Sequence, residues 1–429
     1  MKYLPISSEL FIRNRKHYAK ELKEDSLAVF NSNDLLPTNA DGHMAFVQNS
    51  DLFYLCGIDQ EETILVIFPD ANSKKFREML FLRETNERIA VWEGHKYTKE
   101  EARATSGIEE IYWLSEFETV FRQAMAQAKH VYLNSNEHLR ATIEVETRDA
   151  RFAKWCKEKF PLHKYERSAP IMHALRMVKS KEEVELMSQA CSITEKGFRR
   201  LLSFIKPGVF EYEIEAELIH EFTRNRSKGF AYSPIIASGI DSCVLHYIAN
   251  IKQCKKGEVI LLDVAAEYAN YGSDMTRVVP VDGKFTKRQK DVYNAVLRVF
   301  RGASKLLVKG NTIDKYNAAV GHMIEEELVK LRLLKMSDIK KQNPAAPLYK
   351  KYFMHGTSHF LGLDIHDVGF FDLPFKAGTV FTCEPGIYIP AEKIGVRIEN
   401  NILITEKGNV DLMKNIPIEA DEIEELMNA

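Results

Sequence analysis

The sequence predicts an α+β protein of two domains. Residues 1–175 form a modest α/β domain, and residues 176–429 a larger domain of long helices and antiparallel strands. Three observations lead there. A chain of 429 residues is longer than one ordinary core organises. Through the first half, short apolar runs alternate with helical patterns. Near residue 175 the texture changes to long amphipathic helices separated by strands.

Residues 26–31 (SLAVFN), 63–68 (TILVIF), 79–83 and 130–133 are apolar runs of strand length. Residues 11–22 and 116–128 carry helical spacing between them. In the second half, Ser180 followed three residues later by Glu183 has the spacing of a capping box. It predicts a long helix whose apolar side holds Val184, Met187, Ala190, Cys191 and Ile193. A second helix starts near Glu211, after the Pro207-Gly208 break. A third covers about 287–308 and a fourth about 312–331. Strands are predicted over 258–265, 271–279, 379–389 and 396–405. The lysines and prolines of 340–352 (KKQNPAAPLYKKY) predict a surface connection.

A formal net charge of −2 gives no electrostatic footprint for nucleic acid or an anionic membrane, so neither is an expected partner. The basic run 284–290 (KFTKRQK) reads as solvated surface. No run of about 18 apolar residues is present to span a bilayer, and the opening MKYLPISSEL lacks the apolar core of a signal peptide. Cys56, Cys156, Cys191, Cys243, Cys254 and Cys383 are scattered without a CxxC pair. They predict reduced, mostly buried thiols and a cytoplasmic location.

Acids then occur where a core is expected. LLDVAAEYANYGSDMTR (261–277) begins as a buried strand yet holds Asp263, and Asp274 follows in a second apolar run. A hairpin centred near Tyr268-Ala269 would set the two aspartates directly opposite, with Cβ atoms roughly 5 Å apart. Like charges so placed are destabilising unless something positive lies between them; two edge aspartates facing water are the plain alternative. The last third weighs against that alternative. FMHGTSHFLGLDIHD (353–367) holds His355, His359 and His366 around Gly356 and Gly362. FTCEPGIYIP ends an apolar strand on Glu384. GVRIENNILI puts Arg397 and Glu399 on one strand face. His246, in SGIDSCVLHY, is a fourth candidate histidine. Four strand-borne carboxylates and an imidazole converge only if cations neutralise them, and two divalent ions balance four carboxylates. Such a donor set suits Mn²⁺, Co²⁺ or Zn²⁺, with carboxylate dominance favouring Mn²⁺. A metal pair of this kind makes a nucleophile of bridging water.

Taken together, Asp263, Asp274, His359, Glu384 and Glu399 resemble the five-ligand dinuclear site of the pita-bread metallopeptidases. The ordered motifs ASGIDSCVLHYIAN, LLDVAAEYANYGSDMTR, MHGTSHFLGLDIHDVG, EPGIYI and GVRIENNILIT resemble those of the Xaa-Pro aminopeptidases (aminopeptidase P). QNSDLFYLCGID (48–59) and Trp92-Glu93-Gly94 resemble that family's N-terminal domain. The resemblance implies a pita-bread catalytic domain behind an aminopeptidase P-like domain, and proline-containing peptides as substrates. The bond between an N-terminal residue and a penultimate proline would be cut through a metal-bridging hydroxide.

By resemblance, Asp263 holds one metal, Asp274 and Glu399 bridge both, and His359 and Glu384 hold the other. Glu384 also relays a proton to the leaving nitrogen. His246 and His366 orient the peptide and stabilise charge at its carbonyl, while His355, Tyr388 and Arg397 wall the proline pocket. Relatives are commonly dimers or tetramers, so a homo-oligomer is expected.

Three departures stand out. Asp263-Val264-Ala265-Ala266 replaces the family's Asp-x-Gly-Ala, Asp241 replaces an asparagine, and Asn400 replaces the acid after the last ligand. Prolidase, which cleaves only dipeptides, is the nearest alternative; Ser358 in HGTSH follows the aminopeptidase P pattern. Creatinase shares the fold without the ligands. A non-catalytic scaffold is a third reading, and such relatives typically lose ligands that this chain keeps.

Overall fold

The structure, a computed structural model, describes residues 2–429. Two compact units divide the chain, residues 3–176 and 177–429.

The first unit is built on a six-stranded mixed sheet. Its strands are β1 (Ser26–Asn31), β2 (Ile64–Ile67), β3 (Glu78–Leu82), β4 (Glu110–Trp113), β5 (His130–Leu133) and β6 (Lys164–Arg167). Their order is β4-β3-β2-β1-β5-β6, with β1 to β3 antiparallel and the three outer pairings parallel. The four predicted strands are present, because each is a run of buried apolar residues long enough to cross the sheet. β4 and β6 were not predicted. The sequence of β6, KYER, has no buried residue to announce it. The predicted helices form as Ser8–Lys20 and Phe117–Met125. Helix Arg148–Lys159 escaped prediction because it buries only Asp149 and Cys156, too few for a periodic stripe.

In the second unit the capping box closes as expected. Ser180 Oγ accepts from Glu183 N while Glu183 accepts from Ser180 N, opening helix Lys181–Phe204. That helix packs on Glu211–Arg224, and Lys287–Ser304 packs on Ile313–Lys330. Between the helix pairs lie β7 (Ile235–Ser238), β8 (Val259–Asp263), β9 (Glu267–Tyr268), β10 (Tyr271–Gly272) and β11 (Thr276–Pro280). Toward the C-terminus follow β12 (Val380–Cys383), β13 (Gly386–Ile389), β14 (Ile394–Arg397), β15 (Asn400–Thr405) and β16 (Gly408–Asp411). They form the sheets β11-β8-β7 and β12-β15-β16 and the two-stranded ladders β9-β10 and β13-β14.

The predicted hairpin register is wrong by two residues. Asp263 pairs with Thr276, not Asp274. The turn falls on Ala269 and Asn270, with φ of 53° and 65°. Two consecutive left-handed residues match the twist of a tight hairpin. With no glycine there, the sequence hides the turn. A slip of two keeps both aspartates on one face, as diagonal neighbours.

The strands predicted over 379–389 and 396–405 are each interrupted. Pro385 offers no N–H to a ladder, and the pairing breaks there and at Ile398-Glu399. β12–β15 and β13–β14 nevertheless share one register, so Glu384 and Glu399 face each other across the break. An isolated bridge, Thr276 to Glu399, joins the β8–β11 sheet to this second hairpin.

Candidate metal centre

The breaks in the strands place the acids. Glu384 follows the last residue of β12, Glu399 precedes β15, and Asp274 precedes β11. His359 arrives from a loop laid against β12: its N–H donates to Thr382 Oγ1 at 3.1 Å, and its carbonyl accepts from Thr382 N at 3.0 Å. Gly362, in the same loop, has no room for a side chain; a Cβ there would lie 2.1 Å from Asp367 Oδ2.

Asp274, His359 and Glu399 each bring a ligand atom within 4.8 Å of the others. His359 Nδ1 donates to the Phe360 carbonyl at 2.9 Å. That leaves the Nε2 lone pair facing Asp274 Oδ2 at 3.4 Å and Glu384 Oε1 at 3.8 Å. Asp263 stands beside this group. Its carboxylate accepts from Tyr232 Oη at 2.6 Å and from Arg397 Nη2 at 2.5 Å. Arg397 also donates to Thr276 Oγ1 at 3.0 Å, and Thr276 Oγ1 donates to Glu399 Oε2 at 2.7 Å. Asn401 holds both backbone groups of Asp274, accepting from its N–H at 3.1 Å and donating to its carbonyl at 2.6 Å.

The electrostatics of this set call for a cation. Burial, then the Asp263 charge, pushes the Asp274 carboxyl well above the usual range. Burial and then Asp274 do the same to Glu399, and burial and then Glu399 to Glu384. Carboxylates packed this way ionise together only around positive charge. Oxygen donors with one oriented imidazole fit divalent ions.

A second chain of contacts runs beside the first. Arg397 Nη1 donates to Tyr388 Oη at 2.8 Å, and Tyr388 Oη lies 2.8 Å from His355 Nε2. His355 Nδ1 donates to Gly356 O at 2.7 Å, so its Nε2 accepts the tyrosine proton. Burial, and then Arg397, lowers the His355 pKa to about 3, which keeps the ring neutral. Burial pushes Tyr388 up to about 12. His366 is exposed, its ring centroid 4.4 Å from that of His359. His246 is also exposed, past the turn Gly239–Cys243, and contributes to lowering the His355 pKa. Tyr232, Thr276, Arg277 and Asn401 were not picked out from the sequence as site residues. Their types and spacing carry no metal signal, and only the fold brings them to the ligands.

Comparison with known proteins identifies the family. The profile of metallopeptidase family M24 matches residues 185–406, and that of the aminopeptidase P N-terminal domain matches residues 11–132. The chain is similar to the Xaa-Pro aminopeptidase of Escherichia coli (strain K12), 31% identical over 99% of this chain and 98% of the relative. That of Haemophilus influenzae is 32% identical at the same coverage. A solved structure of a putative aminopeptidase P from Bacillus anthracis superposes with a TM-score of 0.91 at 32% identity, covering 99% of both chains. The family's character as metallopeptidases implies divalent metal ions, in keeping with the donor set. The chain belongs to metallopeptidase family M24 and has the two-domain build of the aminopeptidase P group.

Proposed function

We propose that this chain is a metal-dependent aminopeptidase hydrolysing the bond between an N-terminal residue and a penultimate proline. One observation carries the reading. Three acids of raised pKa and an oriented imidazole meet at the joint of two sheets, in a chain similar along its length to Xaa-Pro aminopeptidases. We assign Asp263, Asp274, His359, Glu384 and Glu399 as ligands of two divalent ions. Manganese is the preferred ion because oxygen donors dominate, with cobalt or zinc next. Bound there, the ions would supply Lewis acidity to the scissile carbonyl and activate water.

The protein's own groups divide the remaining work. Glu384, part-buried beside His359, is assigned to take a proton from the activated water and pass it to the leaving proline nitrogen. His366, beside His359, and His246 are assigned to orient the peptide and to stabilise charge developing on its carbonyl oxygen. His355, Tyr388 and Arg397 are assigned to the proline pocket. Tyr388 and Arg397 are buried and hold the part-buried His355 ring in place, through Tyr388 Oη, at the edge of the site. Proline's nitrogen carries no hydrogen, so a site for it must recognise shape. Packing worth about 1–3 kcal/mol gives roughly 10–200-fold preference.

We take residues 1–175 as the aminopeptidase P-like domain and 176–429 as the catalytic one. All six cysteines are free, five of them buried, which suits a reducing compartment and supports a cytoplasmic assignment. A dimer or tetramer is proposed from the resemblance alone.

The test is a matched set, Xaa-Pro, Xaa-Pro-Yaa and Xaa-Ala-Yaa, at equal concentration with Mn²⁺. Release of the first residue from both proline peptides, and little from the alanine peptide, is expected. Cleavage of the dipeptide alone would turn the reading to prolidase. Equal cleavage of the alanine peptide would remove the proline specificity.

A further inference from the structure

Arg277 is fully buried, yet no carboxylate lies within 4 Å of its guanidinium among the described residues. Its donors go to neutral acceptors. Nε donates to Pro417 O at 2.9 Å, and Nη2 to Asn400 Oδ1 at 2.7 Å. Nη1 donates to Thr276 O and to Glu399 O, each at 2.9 Å. Those last two residues form an isolated bridge between the two sheets of the metal centre. Arg277 therefore clamps the backbone that delivers Glu399.

A buried cation needs a counter-charge nearby, and one stands a single amide away. Asn400 Nδ2 donates to Asp411 Oδ2 at 2.7 Å, and Asp411 Oδ1 accepts from Met413 N at 2.8 Å. Asp411 ends β16, which pairs with β15, the strand that begins at Asn400. The amide has one acceptor and one donor side, and each meets its complement: oxygen toward the guanidinium, nitrogen toward the carboxylate. Asn400 is the position at which the resemblance described above implies an acid. The negative charge lies one step further out, on Asp411.

We infer that Asp411 is the counter-charge of Arg277, relayed through the Asn400 amide, and that this chain of three is a positioning element for the ligand Glu399. The inference rests on the ligand assignment above. A carboxylate at position 400 would meet Asp411 at hydrogen-bond distance with no proton between them. An amide at position 411 would remove the first acid to act on Arg277 and leave only Glu399, itself a proposed ligand, and Glu422. Exchanging the two restores one acid, now directly on Arg277.

The experiment compares wild type, N400D, D411N and the exchanged double variant N400D/D411N, each as full-length protein. Mn²⁺ affinity is measured by titration into metal-free protein and thermal midpoint alongside it. Each single variant should bind Mn²⁺ about 10–100-fold more weakly, and the double variant should recover most of that loss. Should a single variant fail to fold, a folded double variant with near wild-type affinity gives the same support. Singles that lose thermal stability but keep wild-type affinity would make the chain merely structural and overturn the inference. So would a double variant no better than the worse single, or one that fails to fold. A wild type that binds no Mn²⁺ would instead remove the ligand assignment, a separate failure.

Discussion

Replacing Asp274 by Asn separates charge from shape at the metal centre. The amide keeps the side chain's volume, and Asn401 still grips the backbone of residue 274. What is lost is the negative charge next to His359 and Glu399. D274N should therefore fold, retain less metal than the two ions per chain expected of wild type, and lose most activity. Elemental analysis beside a peptide assay reads both, and full activity without bound metal would refute the assignment. Two histidines should separate in the same spirit. H359A removes a ligand whose Nε2 faces Asp274 and Glu384, so metal affinity should fall. H246A removes an exposed ring outside the ligand group, so kcat should fall with metal retained. Equal loss of metal in both would make the division of roles wrong. The acids and histidines were legible in the sequence because buried charge in apolar strands is costly and therefore conspicuous. Tyr232, Arg277 and Asn401 were not, because hydrogen bonds made across 31 residues for Tyr232, 127 for Asn401 and up to 140 for Arg277 leave no local pattern.

At the scale of elements, legibility followed how much of each element's stability is local. The helix opening at Ser180 was readable because its cap is written within four residues. S180A should lower stability by about 0.5–2 kcal/mol, since it leaves the Glu183 N–H without its acceptor, while the backbone N–H of residue 180 can still donate to Glu183. Urea denaturation checks this, with S180T expected to restore most of the loss. The β8–β11 hairpin was misread by two residues because its turn is specified by backbone geometry at Ala269 and Asn270 rather than by a glycine. Its consequence for the site survived the error, since a shift of two preserves the face. The breaks at Pro385 and Ile398-Glu399 were likewise hidden, as the apolar runs around them read straight through. Those breaks are functional in this reading. They turn Glu384 and Glu399 toward each other where an unbroken ladder would simply continue.

The two units of the molecule should respond to different solution conditions, because each buries its charges differently. In residues 177–429 the acids crowd around the proposed metal centre, so ions that bind only the folded state stabilise it by mass action, about 2.7 kcal/mol at a free concentration 100 times Kd. In residues 3–176 Asp149 is a buried acid. It accepts from Asn31 Nδ2 at 2.8 Å and Asn134 Nδ2 at 3.3 Å. Burial raises its pKa from 3.8 to about 7, against the hydrogen bond from Asn31 and with Asp51 adding to the rise. The unfolded chain gives up that proton near pH 4, and the folded chain keeps it to about pH 7. Between those values the folded state binds more protons, so stability falls as pH rises through the window, and the loss is complete above it. Hydrogen exchange followed segment by segment should show two separable effects. Chelation of the metal should speed exchange in residues 177–429 and leave the β1–β5 region unchanged. Raising the pH from 5 to 7.5 should lower protection around β1 and β5, with rates corrected for the intrinsic base catalysis of amide exchange, and D149N should flatten that dependence because position 149 no longer titrates. If D149N keeps the wild-type pH slope in β1 and β5, Asp149 is not its source. If chelation loosens both regions equally, the units do not hold their stability separately.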